Sequence, residues 1–253
     1  MKIGAQLFTV RAYAQNEKDL GRTLERVAAI GYRAVQLSAV GPIAPKRVKA
    51  LCDENGLEIA LTHNGEQKFL QNTDALIEEH QLYGCRYVGL GSMPDRYRSA
   101  AWVDYFARDF EAPAQKLADA GMKFMYHNHA FEFSRLPGGD TIMDRLLSAL
   151  PAELMGVTAD AYWLQYAGVD VNRWMAAHSD RLPCVHLKDL VPTLSETRMA
   201  AVGEGNINFE DILRTVSGNG VTEYAFVEQD NCYDQSPFDC LRTSFENLQK
   251  MGY

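Results

Sequence analysis

The chain has 253 residues, 47% hydrophobic and 23% charged, the balance of an ordinary soluble domain. A net charge of −8 without any basic stripe excludes the electrostatic footprint of a nucleic-acid binder. No stretch approaches the roughly 18 apolar residues of a membrane span, and the N-terminus enters strand pattern without a leader segment, so a cytoplasmic protein with no membrane partner is expected. Cys52, Cys85, Cys184, Cys232 and Cys240 are scattered and form no C-x-x-C pair, which points to reduced thiols.

Apolar runs and amphipathic stretches alternate from the start. Ile3–Phe8 reads as a strand, and Glu17–Ile30 as a helix with Leu20, Leu24, Val27 and Ile30 on one face, ended by Gly31. Ala34–Leu37 is a second strand, and a helix is expected from about Pro45. Leu57–Thr62 is a third strand, Thr73–Tyr83 a helix closed by Gly84, and Tyr87–Leu90 a fourth strand. A long helix from about Ala101 to Ala120, bent near Pro113, leads to strand Met122–Tyr126.

The second half repeats the pattern. Helix Thr141–Ala149, strand Leu154–Thr158, helix Val171–His178 and strand Leu182–Leu187 follow in order. Helix Phe209–Val216, strand Tyr224–Val227 and helix Ser236–Lys250 close the chain. Eight strand–helix units of roughly 30 residues predict an α/β fold, a (β/α)₈ TIM barrel formed as a single domain by residues 1–253. A doubly wound open sheet is the alternative, but Phe8-Thr-Val-Arg11 is no glycine-rich nucleotide loop. The stretch Asp189–Asn208 is too long for a simple connection and reads as an irregular lid.

Residues just past the strand C-termini build the active site of such a barrel. Those positions carry Gln6, His63, His127, His129, Glu132, Asp160, His186, Lys188 and Glu228. One histidine at a strand end is ordinarily a satisfied structural residue. Four of the six together with buried carboxylates are not, because carboxylates at buried strand ends are costly unless paired or bound to a cation. His80 and His178 fall in helices and are expected at the surface. Glu132, Asp160, His186 and Glu228 would give three oxygen donors and one nitrogen. That set suits Mn²⁺ or Mg²⁺, with Zn²⁺ or Co²⁺ admitted by the imidazole.

Tyr126-His-Asn-His-Ala-Phe-Glu-Phe133, Asp160-Ala-Tyr-Trp163, Ala167-Gly-Val-Asp170, His186-Leu-Lys-Asp189, Gly203-Glu-Gly205 and Val227-Glu228 together resemble the sugar phosphate isomerase/epimerase family of xylose isomerase-like barrels. That family includes inosose dehydratases, ketose 3-epimerases and, more distantly, endonuclease IV. The resemblance implies one divalent metal held by Glu132, Asp160, His186 and Glu228, a small sugar or polyol substrate, and a homo-oligomer. One departure stands out. The ketose 3-epimerase branch ends strand five on glutamate, whereas this chain has His127-Asn128-His129, so His127 or His129 competes with Glu132 for that ligand position.

A cation on a carbonyl and its neighbouring hydroxyl acidifies the C–H between them, through an enediolate. Glu132 and Glu228 as a pair of bases would give isomerisation or epimerisation, the leading expectation. His129, His127 or Lys188 acting as an acid on a β-oxygen would give dehydration or elimination instead. His63, His127, Trp163 and Gln6 are expected to contact substrate. With no glycine-rich phosphate cup after the last strands, an unphosphorylated sugar, cyclitol or keto-glycoside is expected. An abasic-site endonuclease would need more metal ligands and a basic face, and a non-catalytic sugar-binding protein would not need the ligand set.

Overall fold

The computed structural model describes residues 1–253. Eight parallel strands close into a barrel: β1 (Lys2–Gln6), β2 (Ala34–Leu37), β3 (Glu58–Asn64), β4 (Tyr87–Leu90), β5 (Lys123–His127), β6 (Met155–Asp160), β7 (Cys184–Leu187) and a last strand, β10 (Tyr224–Val227), which returns to β1. Helices α1 (Glu17–Ile30), α2 (Pro45–Glu54), α3 (Glu66–Gln71), α4 (Thr73–Tyr83), α5 (Val103–Asp119), α6 (Ile142–Ala149), α7 (Ala161–Tyr166), α8 (Val171–Ala177), α9 (Phe209–Gly218) and α10 (Pro237–Lys250) alternate with the strands along the chain. No helix is long and apolar enough to cross a membrane.

The strands are buried on both faces, which explains their near-continuous apolar runs. Alternate residues nevertheless have distinct fates. Val157, Ala159, Val185, Leu187, Ala225 and Val227 face outward into a cluster of 37 buried residues shared with the helices. Ala34, Ala60, Leu61, Tyr87, Met125, Cys184, Tyr224 and Phe226 form a separate cluster inside the barrel. Gly4 makes room there: a Cβ on it would lie 2.6 Å from the Phe226 ring.

One irregularity positions the site. Val35 pairs with Ile59 but Gln36 pairs with Leu61, so Ala60 is an extra residue in β3. Ala60 and Leu61 consequently both lie inside the barrel. Beyond the bulge Thr62 faces outward, its Oγ1 2.7 Å from His80 Nε2, and His63 faces inward. Strict alternation counted from Ile59 would have sent His63 out to the helices.

The helix starts follow from local chemistry. Asn16 Oδ1 accepts from Asp19 N to open α1, and Thr141 with Asp144 forms a reciprocal cap at α6. Two short helices, α3 and α7, were not expected from periodicity. Helix α7 begins where Asp160 Oδ1 accepts from Trp163 N at 3.2 Å, directly at the end of β6.

The segment 189–208 is not irregular throughout. It carries an antiparallel hairpin, β8 (Asp189–Pro192) with β9 (Thr197–Ala200). Asp189 organises it: Oδ1 accepts from the backbone N–H of Leu190 and Ile207, and Oδ2 from those of Gly203 and Gly205. His80 is also unlike its expectation. It is fully buried, with Nδ1 donating to the Leu76 carbonyl and Nε2 accepting from the Thr62 hydroxyl.

Candidate metal centre

Inward-facing positions continue past the apolar interior to the C-terminal mouth, where the side chains turn polar. His127 and Asp160 end β5 and β6, His186 is the penultimate residue of β7, Glu228 directly follows β10, and one ligand atom from each lies within 4.8 Å of all the others. All four are buried. Asp160 Oδ2 lies 3.2 Å from His127 Nε2 and 3.6 Å from His186 Nδ1, and Glu228 Oε2 lies 3.1 Å from His186 Nδ1.

The outer contacts fix which atoms carry protons. His127 Nδ1 is 2.9 Å from the Gly91 carbonyl, which can only accept, so this nitrogen donates and Nε2 offers a lone pair. His186 Nε2 is 2.7 Å from Gln36 Oε1, so it donates there and leaves Nδ1 facing the two carboxylates. Both imidazoles thus turn their inner nitrogens toward carboxylate oxygens. Glu228 Oε2 has the Lys188 ammonium 2.8 Å away, and His186 Nδ1 faces the same oxygen at 3.1 Å. Against the effect of burial, Glu228 and Asp160 hold the His186 imidazole above the usual histidine range, so this spot favours positive charge, supplied by a proton or by a bound ion. Donors around a first-row ion at about 2.1 Å stand about 3–4 Å apart, close to the spacings above. Ring N–H groups held by a carbonyl and an amide are also the usual outer support of histidine ligands.

Charge gives an independent test. Lys188 Nζ, 1% exposed, lies 3.2 Å from Asp160 Oδ2, 2.8 Å from Glu228 Oε2 and 3.0 Å from Asp230 Oδ1. Three carboxylates against one ammonium leave two negative charges, which a divalent cation would neutralise. Burial alone would raise the carboxyls of Asp160 and Glu228, but Lys188 and the neighbouring imidazoles hold both well below the usual carboxylate range. Burial likewise acts against the Lys188 ammonium, yet the three carboxylates raise it above an ordinary lysine, so it keeps its proton.

Glu132, expected as a ligand, is not in the cluster. It lies on a single 3₁₀ turn after β5, where Oε1 accepts from Tyr126 Oη at 2.7 Å and Oε2 from His129 N at 2.8 Å. Tyr126 is an outward-facing residue of β5, so Glu132 braces the loop from behind the strand while His127 takes the place at its end. Burial raises the Glu132 carboxyl to about 7 despite these hydrogen bonds.

The other expected residues are distributed around this centre. A cavity of about 390 Å³ lies over it, with His63, His127, His129, Lys188 and Glu228 in its wall. His129 packs beside His127 and Trp163, with ring centroids 4.7 and 5.2 Å away, and burial lowers its imidazole to about 3. Trp163 lies 5.5 Å beneath the Lys188 ammonium. Gln6 is fully buried and reaches His63 Nδ1 at 3.5 Å, with its Oε1 accepting from Phe8 N, so it orients His63. Asp230, Gln36 and Ser38 escaped the sequence reading. Asp230 follows Glu228 by two residues, as Lys188 follows His186 and His129 follows His127. The period-2 phase was the available signal for it, for Gln36 on β2 and for Ser38 just past its end.

Comparison with known proteins agrees with this architecture. An inosose dehydratase of Clostridium botulinum (strain Alaska E43 / Type E3) is 23% identical, over 84% of this chain and 82% of that protein. The structure of a sugar phosphate isomerase/epimerase from Parabacteroides distasonis ATCC 8503 superposes with a TM-score of 0.83 at 22% identity, covering 98% of this chain and 93% of that one. An L-ribulose 3-epimerase structure gives 0.74 at 13% identity, over 99% and 94%. A model of the xylose isomerase-like TIM barrel matches residues 24–250, and the chain belongs to that family.

Proposed function

We propose that the chain is a divalent-metal-dependent enzyme that removes the proton beside the carbonyl of a keto-sugar or related polyol. The observation that carries this reading is the convergence of two imidazole nitrogens and two carboxylates, all buried and within 4.8 Å of one another. His127, Asp160, His186 and Glu228 would hold the ion. Two nitrogens and two oxygens favour Mn²⁺, Zn²⁺ or Co²⁺ over Mg²⁺. When bound, the ion supplies Lewis acidity to a substrate carbonyl.

The remaining groups divide the proton work. Lys188, held charged, places its ammonium where negative charge on a substrate oxygen would be stabilised. Asp230 lines the same cavity, and its carboxyl is raised by burial and by Glu228, which suits a group that takes and returns a proton. With Glu132 committed to Tyr126 and His129 N, a Glu132–Glu228 pair on opposite substrate faces lacks support. Elimination, as in a dehydratase, is therefore preferred to epimerisation. His129, kept neutral by burial, lines the cavity and would be the donor that a leaving oxygen meets.

Elemental mass spectrometry after dialysis against Mn²⁺ tests the centre. Near-stoichiometric metal is expected in wild type and Glu132→Gln, and loss in His127→Ala, His186→Ala and Glu228→Gln. Incubation with keto-sugars in deuterated water then separates outcomes: elimination accumulates an ultraviolet-absorbing enone or dicarbonyl, and epimerisation labels recovered sugar. Wild type without metal sinks the proposal.

A further inference from the structure

A second cavity, of about 400 Å³, opens beside the first, between the β2–α2 loop and helices α3 and α4. Ser38, His63 and Asn64 line both, so the two are compartments of one cleft. Their walls differ in kind. Hydrophobic residues supply 2 of 14 in the compartment over the metal centre and 6 of 15 in the annex. Val40, Pro42, Ile43 and Val48 contribute the apolar side of the annex. Its far end is polar: Lys68 Nζ donates to Glu79 at 2.8 Å, and the Tyr83 hydroxyl to the same carboxylate at 3.3 Å.

The annex wall is held in place by its neighbours. Ala39 sits in the left-handed region with φ of 53°, a conformation a non-glycine residue keeps only when its surroundings enforce it. Gln15 Nε2 donates to the Ala39 carbonyl at 2.8 Å, and Gly41 N donates to the Ala14 carbonyl at 3.0 Å. Gly41 is so close to this support that a Cβ would fall 2.0 Å from the Gln15 carbonyl oxygen. The loop is thereby fixed away from the barrel axis, and the annex stays open. At the junction, His63 Nδ1 accepts from Gln6 and faces Ser38 Oγ at 3.3 Å. Its buried Nε2 therefore carries the proton and has no partner. His63 and Ser38 thus stand where the polar and apolar compartments meet, beside the bond that would join two halves of one ligand.

We infer that the annex is a subsite for an apolar, ring-sized group attached to the sugar, so that the substrate is a glycoside or comparable conjugate rather than a free monosaccharide. The inference rests on the sugar reading of the metal-bearing compartment. An apolar concave wall gains from a ligand only where that ligand brings apolar surface out of water. The polar end formed by Glu79 and Tyr83 would receive a hydroxyl on the distal edge of that group.

Paired methyl and 4-fluorophenyl 3-keto-β-glycosides of the gluco, galacto and manno series, titrated into the Mn²⁺-loaded protein and followed by ¹⁹F and proton line broadening, provide the test. In at least one pair the aryl member should bind about tenfold tighter or more, the return from withdrawing one ring from water. Pro42→Trp, on an exposed position, and Val40→Trp should each fill the annex. Both should abolish that preference while methyl glycoside binding and melting temperature stay unchanged. Equal affinity within every pair, or a preference intact in both variants, overturns the annex and leaves the sugar reading standing. A metal-loaded protein that binds no member of any pair overturns both.

Discussion

Replacing Lys188 with methionine removes the one fixed positive charge among two buried carboxylates and a half-buried third. Its ammonium stands 2.8 Å from Glu228 Oε2 and 3.2 Å from Asp160 Oδ2. At an effective dielectric constant of 20 the closer contact alone is an attraction of about 6 kcal/mol, opposed by the cost of burying the ammonium. Removing one partner of a buried pair typically costs about 3–5 kcal/mol, because the other is left without compensation. For a chain this long each kcal/mol moves the melting temperature by about 2–4 °C, so Lys188→Met should melt about 6–20 °C below wild type in EDTA. Differential scanning calorimetry reads this directly. The metal would use the same two oxygens, so Mn²⁺ should raise the melting temperature of Lys188→Met more than that of wild type. A melting temperature within 2 °C of wild type in EDTA, or a smaller Mn²⁺ response, refutes the charge account of the centre.

Three further outcomes follow from individual contacts. Glu132 titrates at about 7 in the fold against 4.5 as a free side chain, so its contribution to stability is fully present below pH 4.5 and is lost as pH rises through 7, about 3 kcal/mol in all. Glu132→Gln stays neutral, so urea denaturation should show it gaining on wild type across that window; a constant difference rules the shift out. Asp189→Asn sets an amide NH₂ against two backbone N–H groups whichever way it turns, and should cost about 2–4 kcal/mol by the same assay, with faster proteolysis at the β8–β9 hairpin. Gly89→Ala would bring a Cβ to 2.2 Å from the Thr62 carbonyl oxygen and 3.1 Å from the His63 ring. It should destabilise by about 1–3 kcal/mol and weaken ligand binding, and an unchanged melting temperature would contradict the packing described.

The alternation of strands and helices was legible because apolar runs and 3.6-residue periodicity report burial directly, as in Ala34–Leu37 and Glu17–Ile30. Asp160, His186 and Glu228 were legible for the same reason: each ends such a run. Glu132 misled because resemblance supplied a glutamate near the end of β5, while sequence distance does not reveal that the chain turns back behind Tyr126. His127 lies on the inward phase of β5 and Glu132 lies on no strand at all. Asp230 was missed because it falls beyond the last apolar residue of β10, although it keeps the phase of Glu228. His80 was misplaced because a histidine on a helix looks exposed until its two partners, Thr62 and the Leu76 carbonyl, come from the tertiary fold and from its own turn.

The extra residue in β3 also acts as a joint between two lengths of strand. Ala60 is the surplus member, so deleting it would leave Ile59 facing the helices and His63 facing the mouth. Removing Leu61 instead would let Ala60 take over its inward place with the same result, whereas losing Thr62 would pull His63 out of phase and empty its position at the mouth. Length can therefore change at 60–61 without altering the chemistry, while at the very next residue a single deletion exchanges it. Aligned column by column, relatives that differ there by a gap would seem to lack the histidine that they in fact present.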